Sequence, residues 1–376
     1  MIDRLAQLVA IRSVSPEEGA IADAVGVLLE QAGLCVQRQG NNVWCEIGDA
    51  PRPRLLLNSH IDTVPPIEGW SGDPWTLRRH GERLVGLGAN DAKGSVTALI
   101  EAFLATKRRQ EHGERLGGRL VLALTAAEEV AGDGLVTILP ALSPLDAAIV
   151  GEPTGLTPMS AQRGLLILRG VARGRGGHPA NVPGLSADNA IITAARDVAG
   201  LAEFDWGPEH PLLGRCHAHV TMIKGGVARN VVPDTCEFYL DIRTTPAESH
   251  GALYKRLRRH LRSELHIHSD RLVPVQTDAG ERIIQAARRA LPGLPPAGSR
   301  TMSDMVFLTG TPSVKIGPGE SSRSHTADEY ILPDELRAGA AAYERIIREY
   351  FDVSSGTAYG EDAATTHHAP QQGGVR

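Results

Sequence analysis

An α/β fold built from two separated stretches of chain, with a small α+β domain inserted between them, is what this sequence predicts. Two observations carry that expectation. Apolar runs of strand length alternate with helical repeats from Val43 to Gly151. The pattern changes near Gly164 and returns after Thr277. In addition, 376 residues exceed what one compact core usually organises, so more than one domain is expected.

In chain order, Ser15-Pro16-Glu17-Glu18 reads as a capping box with proline at the first helical position. Ile21, Val25, Leu28 and Leu29 then recur at helical spacing, and Gly33 ends the run. Residues 43–47 and 54–58 read as strands, 93–106 as a helix, and 120–125 and 147–151 as buried strands. Beyond Gly164, a strand at 165–171, a helix at 186–201, strands at 216–223 and 235–242 and a helix at 250–265 form a β-α-β-β-α unit. Helices at 281–290 and 333–351 complete the first domain. The expected division is therefore 1–163 and 277–353 for the catalytic domain, 164–276 for the insert, and 354–376 for a disordered, aperiodic tail.

Composition narrows the function classes. A net charge of -5 with 22% charged residues argues against nucleic acid or an anionic membrane as the main partner. The basic run at 255–262 reads as the wet face of an amphipathic helix. The start, Met1-Ile2-Asp3-Arg4-Leu5, has no apolar signal core, and no apolar stretch is long enough to span a bilayer. Cys35, Cys45, Cys216 and Cys236 lack CxxC spacing and read as buried thiols of a reducing compartment, so the expected location is cytoplasmic.

Five local patterns carry chemistry. Ser59-His60-Ile61-Asp62 closes a buried strand, where α/β folds collect functional groups. In extended backbone His60 and Asp62 share a side, so the carboxylate can orient the imidazole for a metal. Alone, the pair is equally well a satisfied buried histidine. Gly86-Leu87-Gly88-Ala89-Asn90-Asp91 is a tight turn ahead of a helix, and Asp91 also fits a plain N-cap. Glu128-Glu129 follows an apolar run, a costly place for two carboxylates without a cation or a task. Gly151-Glu152 closes another apolar run, and His325 lies in a polar loop after Gly317-Pro318-Gly319. His266, His268, His367 and His368 lack carboxylate partners at ligand spacing and read as surface or tail residues. Together, two histidines and several strand-end carboxylates form the inventory of a two-metal site.

With these motifs in this order, the chain resembles the acetylornithine deacetylase, succinyl-diaminopimelate desuccinylase and aminoacylase family of two-zinc metallohydrolases. The resemblance runs from the first helix to about Phe351. It implies a zinc-peptidase-like catalytic domain with an inserted lid that also forms a homodimer. It implies that His60 and Glu152 hold one zinc, Glu129 and His325 hold the other, and Asp91 bridges them. Asp62 would orient His60, and Glu128 would act as general acid/base. Cobalt or manganese can occupy the same N/O donors. His178, in Gly176-Gly177-His178-Pro179, stands where relatives place an oxyanion-stabilising lid histidine, often reaching across the dimer. Arg229 and Asn230 resemble a lid segment that contacts the substrate carboxylate. Within the family, Leu57-Asn58-Ser59-His60 and the 318–325 segment lean toward acylornithine deacetylases, with Asp304 expected to meet a side-chain ammonium. The expected substrate is thus N-acetylornithine, as in arginine biosynthesis. Succinyl-diaminopimelate, an acyl-lysine or a dipeptide are the alternatives on the same fold, and a non-catalytic binding module is disfavoured because every metal position is filled.

Overall fold

The computed structural model describes residues 1–130, 133–182 and 189–352. Its helices are α1 Ile2–Ala10, α2 Gly19–Gln31, α3 Lys93–Glu111, α4 Asp133–Leu142, α5 Ala190–Gly200, α6 His250–His260, α7 Arg282–Ala290 and α8 Pro333–Asp352. The strands are β1 Gln37–Gln39, β2 Asn42–Gly48, β3 Arg54–His60, β4 Arg78–His80, β5 Arg83–Val85, β6 Arg119–Thr125, β7 Ala147–Val150 and β8 Met159–Gln162. They continue with β9 Gly164–Arg173, β10 His217–Gly225, β11 Thr235–Thr244, β12 Glu264–Leu272, β13 Val275–Gln276, β14 Ala297–Ser299, β15 Ser313–Lys315 and β16 Tyr330–Ile331.

The large sheet runs β1-β2-β6-β3-β7-β15-β8-β13, with β14 beside β8. Its centre, β6-β3-β7-β15, is parallel. Side chains along β3 alternate between two cores. Leu55 and Leu57 join the layer of α3, α7 and α8, whereas Leu56 joins Leu135, Ile138 and Leu142 of α4. A strand buried on both faces must be apolar throughout, which is why 54–58 lacks alternation. The small sheet, β10-β11-β9-β12, is antiparallel throughout. Among the described residues, one of its faces is covered, by α5 and α6. β11 accordingly alternates strictly between buried and half-buried residues. A third sheet, β16-β5-β4, holds three short strands.

The two larger sheets are joined by paired linkers. β9 starts two residues after β8 ends, and β12 ends three residues before β13 begins. β13 pairs with β8 while Leu272 pairs with Leu165, so both crossings run side by side.

Several expectations need correction. Ser15 does not cap α2. The helix starts at Gly19 after Glu18, and the Ser15 hydroxyl is spent on Asp62 instead. The region expected as the helix 250–265 is a helix only to His260. Glu264 opens β12, a fourth strand that carries the exposed His266 and His268. The insert's sheet therefore ends at Leu272, and residues 275–276 belong to the large sheet. α5 begins at Ala190, where the Asn189 side chain accepts from Ile191 N and Ile192 N; residues 186–188 of that expected helix lie outside the described residues, as does the tail 354–376. Cys35 is exposed, whereas Cys45, Cys216 and Cys236 are buried, and all four thiols are free. No helix among the described residues is long and apolar enough to cross a membrane.

Leu57 is fully buried three residues before His60. Leu57→Ala is expected to cost about 2–5 kcal/mol, read as a lower urea midpoint with an unchanged slope.

Candidate metal centre and active site

Four parallel strands end side by side, and three of them deliver ionisable groups at or just beyond their carboxyl ends, while the fourth ends in a glycine turn. β3 ends on His60, with Asp62 two residues on. Glu128 and Glu129 follow β6, Glu152 follows β7, and Gly317 follows β15. Gly317 is required for this convergence. A Cβ there would lie 2.5 Å from the Glu152 carbonyl and 2.6 Å from Ser95 Oγ. The turn between β6 and Glu128 places Ala127 in left-handed backbone at φ 58°, which costs an L-residue energy and persists where the surroundings enforce it.

The side chains converge around Asp91. His60 Nε2 lies 3.2 Å from Asp91 Oδ1 and 3.8 Å from Glu152 Oε1. His325 Nε2 lies 3.0 Å from Glu129 Oε1 and 3.8 Å from Asp91 Oδ2. Each Asp91 oxygen thus faces a different imidazole, the placement of a carboxylate shared by two cations. Potential ligand atoms of His60, Asp91 and Glu129 all fall within 4.8 Å of one another. On its other side the His60 ring is 3.4 Å, through Nδ1, from Asp62 Oδ1. Asp62 is itself held by the Ser15 hydroxyl and by the Glu129 amide, which donates at 3.0 Å. That chain of contacts turns Nε2 toward Asp91.

Asp91 is fixed from behind by Glu329, whose carboxylate accepts the amides of Gly88, Asn90 and Asp91 at 3.0, 2.9 and 2.8 Å. Gly88 is in left-handed backbone at φ 77°, and a Cβ there would meet Thr63 Cγ2 at 2.7 Å. Beneath the loop Lys93 is fully buried and donates to the Ile11 carbonyl at 3.1 Å. Burial pushes Lys93 down to about 7. Burial, with Asp91 nearby, pushes Glu329 up to about 7.

The electrostatics describe a charge that is not balanced by protein alone. Burial, then repulsion from Asp91 and Glu129, pushes Glu152 up to about 8 against the pull of Lys315 and His60. Burial first, then Glu152, Asp304 and Glu129, hold Glu128 well above the usual carboxylate range despite His60. The hydrogen bond that His325 donates to the Glu129 carboxylate pushes His325 up to about 9. Divalent cations among these carboxylates would remove the repulsion, and the donors are the imidazole and carboxylate groups that such ions take. The residues present therefore fit a metal pair.

Of the eleven residues singled out in the sequence, Asp91, Glu128, Glu129, Glu152 and His325 line one cavity of about 390 Å³. His60 and Asp62 lie directly beneath it. Asp304 is displaced from its expected role. It is 2% exposed, accepts from Thr125 Oγ1 at 2.8 Å, and does not line the cavity, so no substrate ammonium reaches it in this arrangement. His178, Arg229 and Asn230 lie on exposed loops of the small domain, away from this cavity. His178 instead accepts from its own Ala180 amide at 3.2 Å. Unanticipated were Glu329, Lys93, and three cations of the lining: Arg243, Arg300 and Lys315. Glu329 stands four residues beyond His325, a spacing that by itself signals only a polar loop.

The description "Peptidase family M20/M25/M40" matches residues 56–349, and the chain belongs to that family. It is accordingly a hydrolase of amide bonds. The chain is 31% identical to a succinyl-diaminopimelate desuccinylase of Methylococcus capsulatus over 92% of this chain and 97% of that one. It is 28% identical to an acetylornithine deacetylase of Myxococcus xanthus over 92% and 96% respectively. A solved Bacillus subtilis protein, a dinuclear metal binding peptidase of the M20 family, shares the fold at a TM-score of 0.71 and 17% identity, covering 95% of this chain and 98% of its own.

Glu329→Gln would set an amide NH₂ against one or more of three backbone donors and loosen Asp91. Metal affinity is expected to fall about 10- to 100-fold, measured by competition with a chromophoric chelator. Unchanged affinity would show that the loop holds Asp91 without this carboxylate.

Proposed function

We propose that this chain hydrolyses N-acyl amino acids with two metal ions, one held by His60 and Glu152, the other by His325 and Glu129, with Asp91 shared. The observation that carries the reading is Asp91, one oxygen toward each imidazole, with Glu128 on the same cavity. When bound, such a pair lowers the pKa of a water and polarises the amide carbonyl. Zinc suits the ligands, as do cobalt and manganese.

The chain's own residues supply the proton traffic. The Glu128 side chain has no hydrogen-bond partner among the described residues, and its burial raises its proton affinity. It accepts the proton of the attacking water as the new C–O bond forms. It returns that proton to the nitrogen as the C–N bond breaks, leaving a carboxylic acid and a free amine. Asp62 keeps the His60 ring oriented throughout.

N-acetylornithine is the substrate favoured by the motifs. A second reading rests on the lining. The cavity's carboxylates are those already assigned, and its remaining charged groups are Arg243, Arg300 and Lys315. That balance favours a substrate rich in carboxylates, such as an N-succinyl amino acid. Four free thiols support a cytoplasmic location.

The reading includes a homodimer through the small domain. Met222, Ile223 and Val227 are 64%, 55% and 90% exposed at the end of edge strand β10 and just beyond it, an apolar surface that a second copy would cover. The neighbouring His178 loop, bridged at Gly177 to Val232, would then serve the partner's cavity. Light scattering at micromolar protein is expected to give a dimer, and a monomer would remove this element.

The metal-loaded protein should release amine from one or more of N-acetylornithine, N-acetyllysine, N-succinylornithine, succinyl-diaminopimelate and a dipeptide, and a chelator should abolish release. Glu128→Gln should keep its metal content while kcat falls about 10²- to 10⁴-fold. Near wild-type turnover in that variant would refute the role of Glu128.

A further inference from the structure

Arg300 stands at a seam. It lines the metal cavity and also a second cavity of about 700 Å³ bounded by Arg163, Leu213, His217, His219, Thr221, Asp241 and Arg243. Among the described residues, only Arg243 and Arg300 line both. The space beside the metal ligands therefore continues past two guanidinium groups into the cleft under the open face of the small sheet.

Among the described residues, the lysine and arginine side chains around this space are spent, with one exception. Arg243 is paired with Asp241 at 2.7 Å. Lys315 is fully engaged, donating to Thr301 O, Thr301 Oγ1 and Met302 O at 3.3, 3.0 and 3.2 Å. Arg163 donates to the carbonyls of Leu213, Arg215 and Arg243. The Arg300 side chain has no hydrogen-bond or ion-pair partner among the described residues, and it is exposed to the cleft. Its backbone, by contrast, is fixed on both sides. Arg163 N donates to the Ser299 carbonyl at 3.2 Å, Ser299 Oγ donates to Thr301 O at 2.8 Å, and Lys315 grips the same Thr301. An unspent guanidinium on an anchored turn is preorganised for a planar anion, which it can take through two parallel N–H donors.

We infer that Arg300 is a specificity-determining residue that pairs with a carboxylate of the substrate remote from the scissile amide, so that acyl amino acids with two carboxylates are preferred over their single-carboxylate counterparts. This inference rests on the amide-hydrolase reading above. The distal carboxylate can sit on the acyl group or on the amino-acid side chain, and the shared chemistry is a second carboxylate beyond the metals.

The test uses two matched pairs on the metal-loaded full chain: N-succinylornithine against N-acetylornithine, and N-acetylglutamate against N-acetylglutamine. For wild type, Arg300→Gln and Arg300→Lys, kcat and KM are measured for all four. In parallel, calorimetry reads binding of the same compounds to Glu128→Gln with and without Arg300→Gln. Arg300→Gln should lower the dicarboxylate-to-monocarboxylate ratio of kcat/KM about 10- to 100-fold in at least one pair, mainly through KM, with partial recovery in Arg300→Lys. The binding ratio should move alike. The pair that responds identifies the side bearing the carboxylate. Equal effects on both members of each pair, or none, overturn the inference while turnover leaves the hydrolase reading standing. Discrimination in binding without turnover of any compound removes the acyl amino acid reading and the specificity role that rests on it, leaving Arg300 as a carboxylate-binding group alone. Failure of all four to bind removes both.

Discussion

Asp91 has to offer one oxygen to each of two imidazoles that come from opposite ends of the chain, and much of the catalytic domain is arranged around that requirement. His60 arrives on a strand whose residues are buried on both faces, so its position is set by two cores at once. His325 arrives on a loop, in left-handed backbone at φ 58°. Between them the 86–91 turn is neither helix nor strand, and three of its six amides are gathered by the single carboxylate of Glu329. Unpaired buried amides are costly, so the turn and the carboxylate stabilise each other. The same logic recurs at Asp62, which is gripped by Ser15 and the Glu129 amide and so ties the second ligand set to the first.

The parts of this design that repeat along the chain were legible in the sequence. Apolar runs ending in His60, Glu128-Glu129 and Glu152 announce buried strands with chemistry at their tips, because burial of both faces leaves a pattern in composition. The β-α-β-β-α reading stopped short for a similar reason. Leu253, Leu257 and Leu261 sustain a helical rhythm to the turn before Glu264, and Leu265 falls in step with it although it belongs to a strand. Period alone does not separate the two at a junction. Ser15 shows the opposite failure. Its neighbours match a helix cap by local rule, yet a carboxylate 47 residues away takes the hydroxyl.

Asp304 and Glu329 mark where local reading ends. Both are acidic residues in loops near site motifs, and sequence offers no way to tell which faces outward. Three-dimensional packing places Asp304 against Thr125 beneath the strand tips and Glu329 behind the metal loop. The cations of the lining were unreadable for the same reason. Arg243 comes from the small sheet, Arg300 from the turn after β14 and Lys315 from the end of β15, so no window of sequence contains them together.

The paired crossings between the sheets have a mechanical consequence. Two chain segments lying side by side define a single axis, and neither hydrophobic core extends across it. The small sheet is therefore held to the large one by the two linkers and by polar contacts such as His210 to Gln276 and Arg271 to Asp133, with no apolar core in common. Arg243 belongs to the small sheet, while His60, Asp91, Glu129, Glu152 and His325 all belong to the large domain. The span from the carboxylate cluster to this guanidinium is thus set at a polar seam between two cores rather than inside either one.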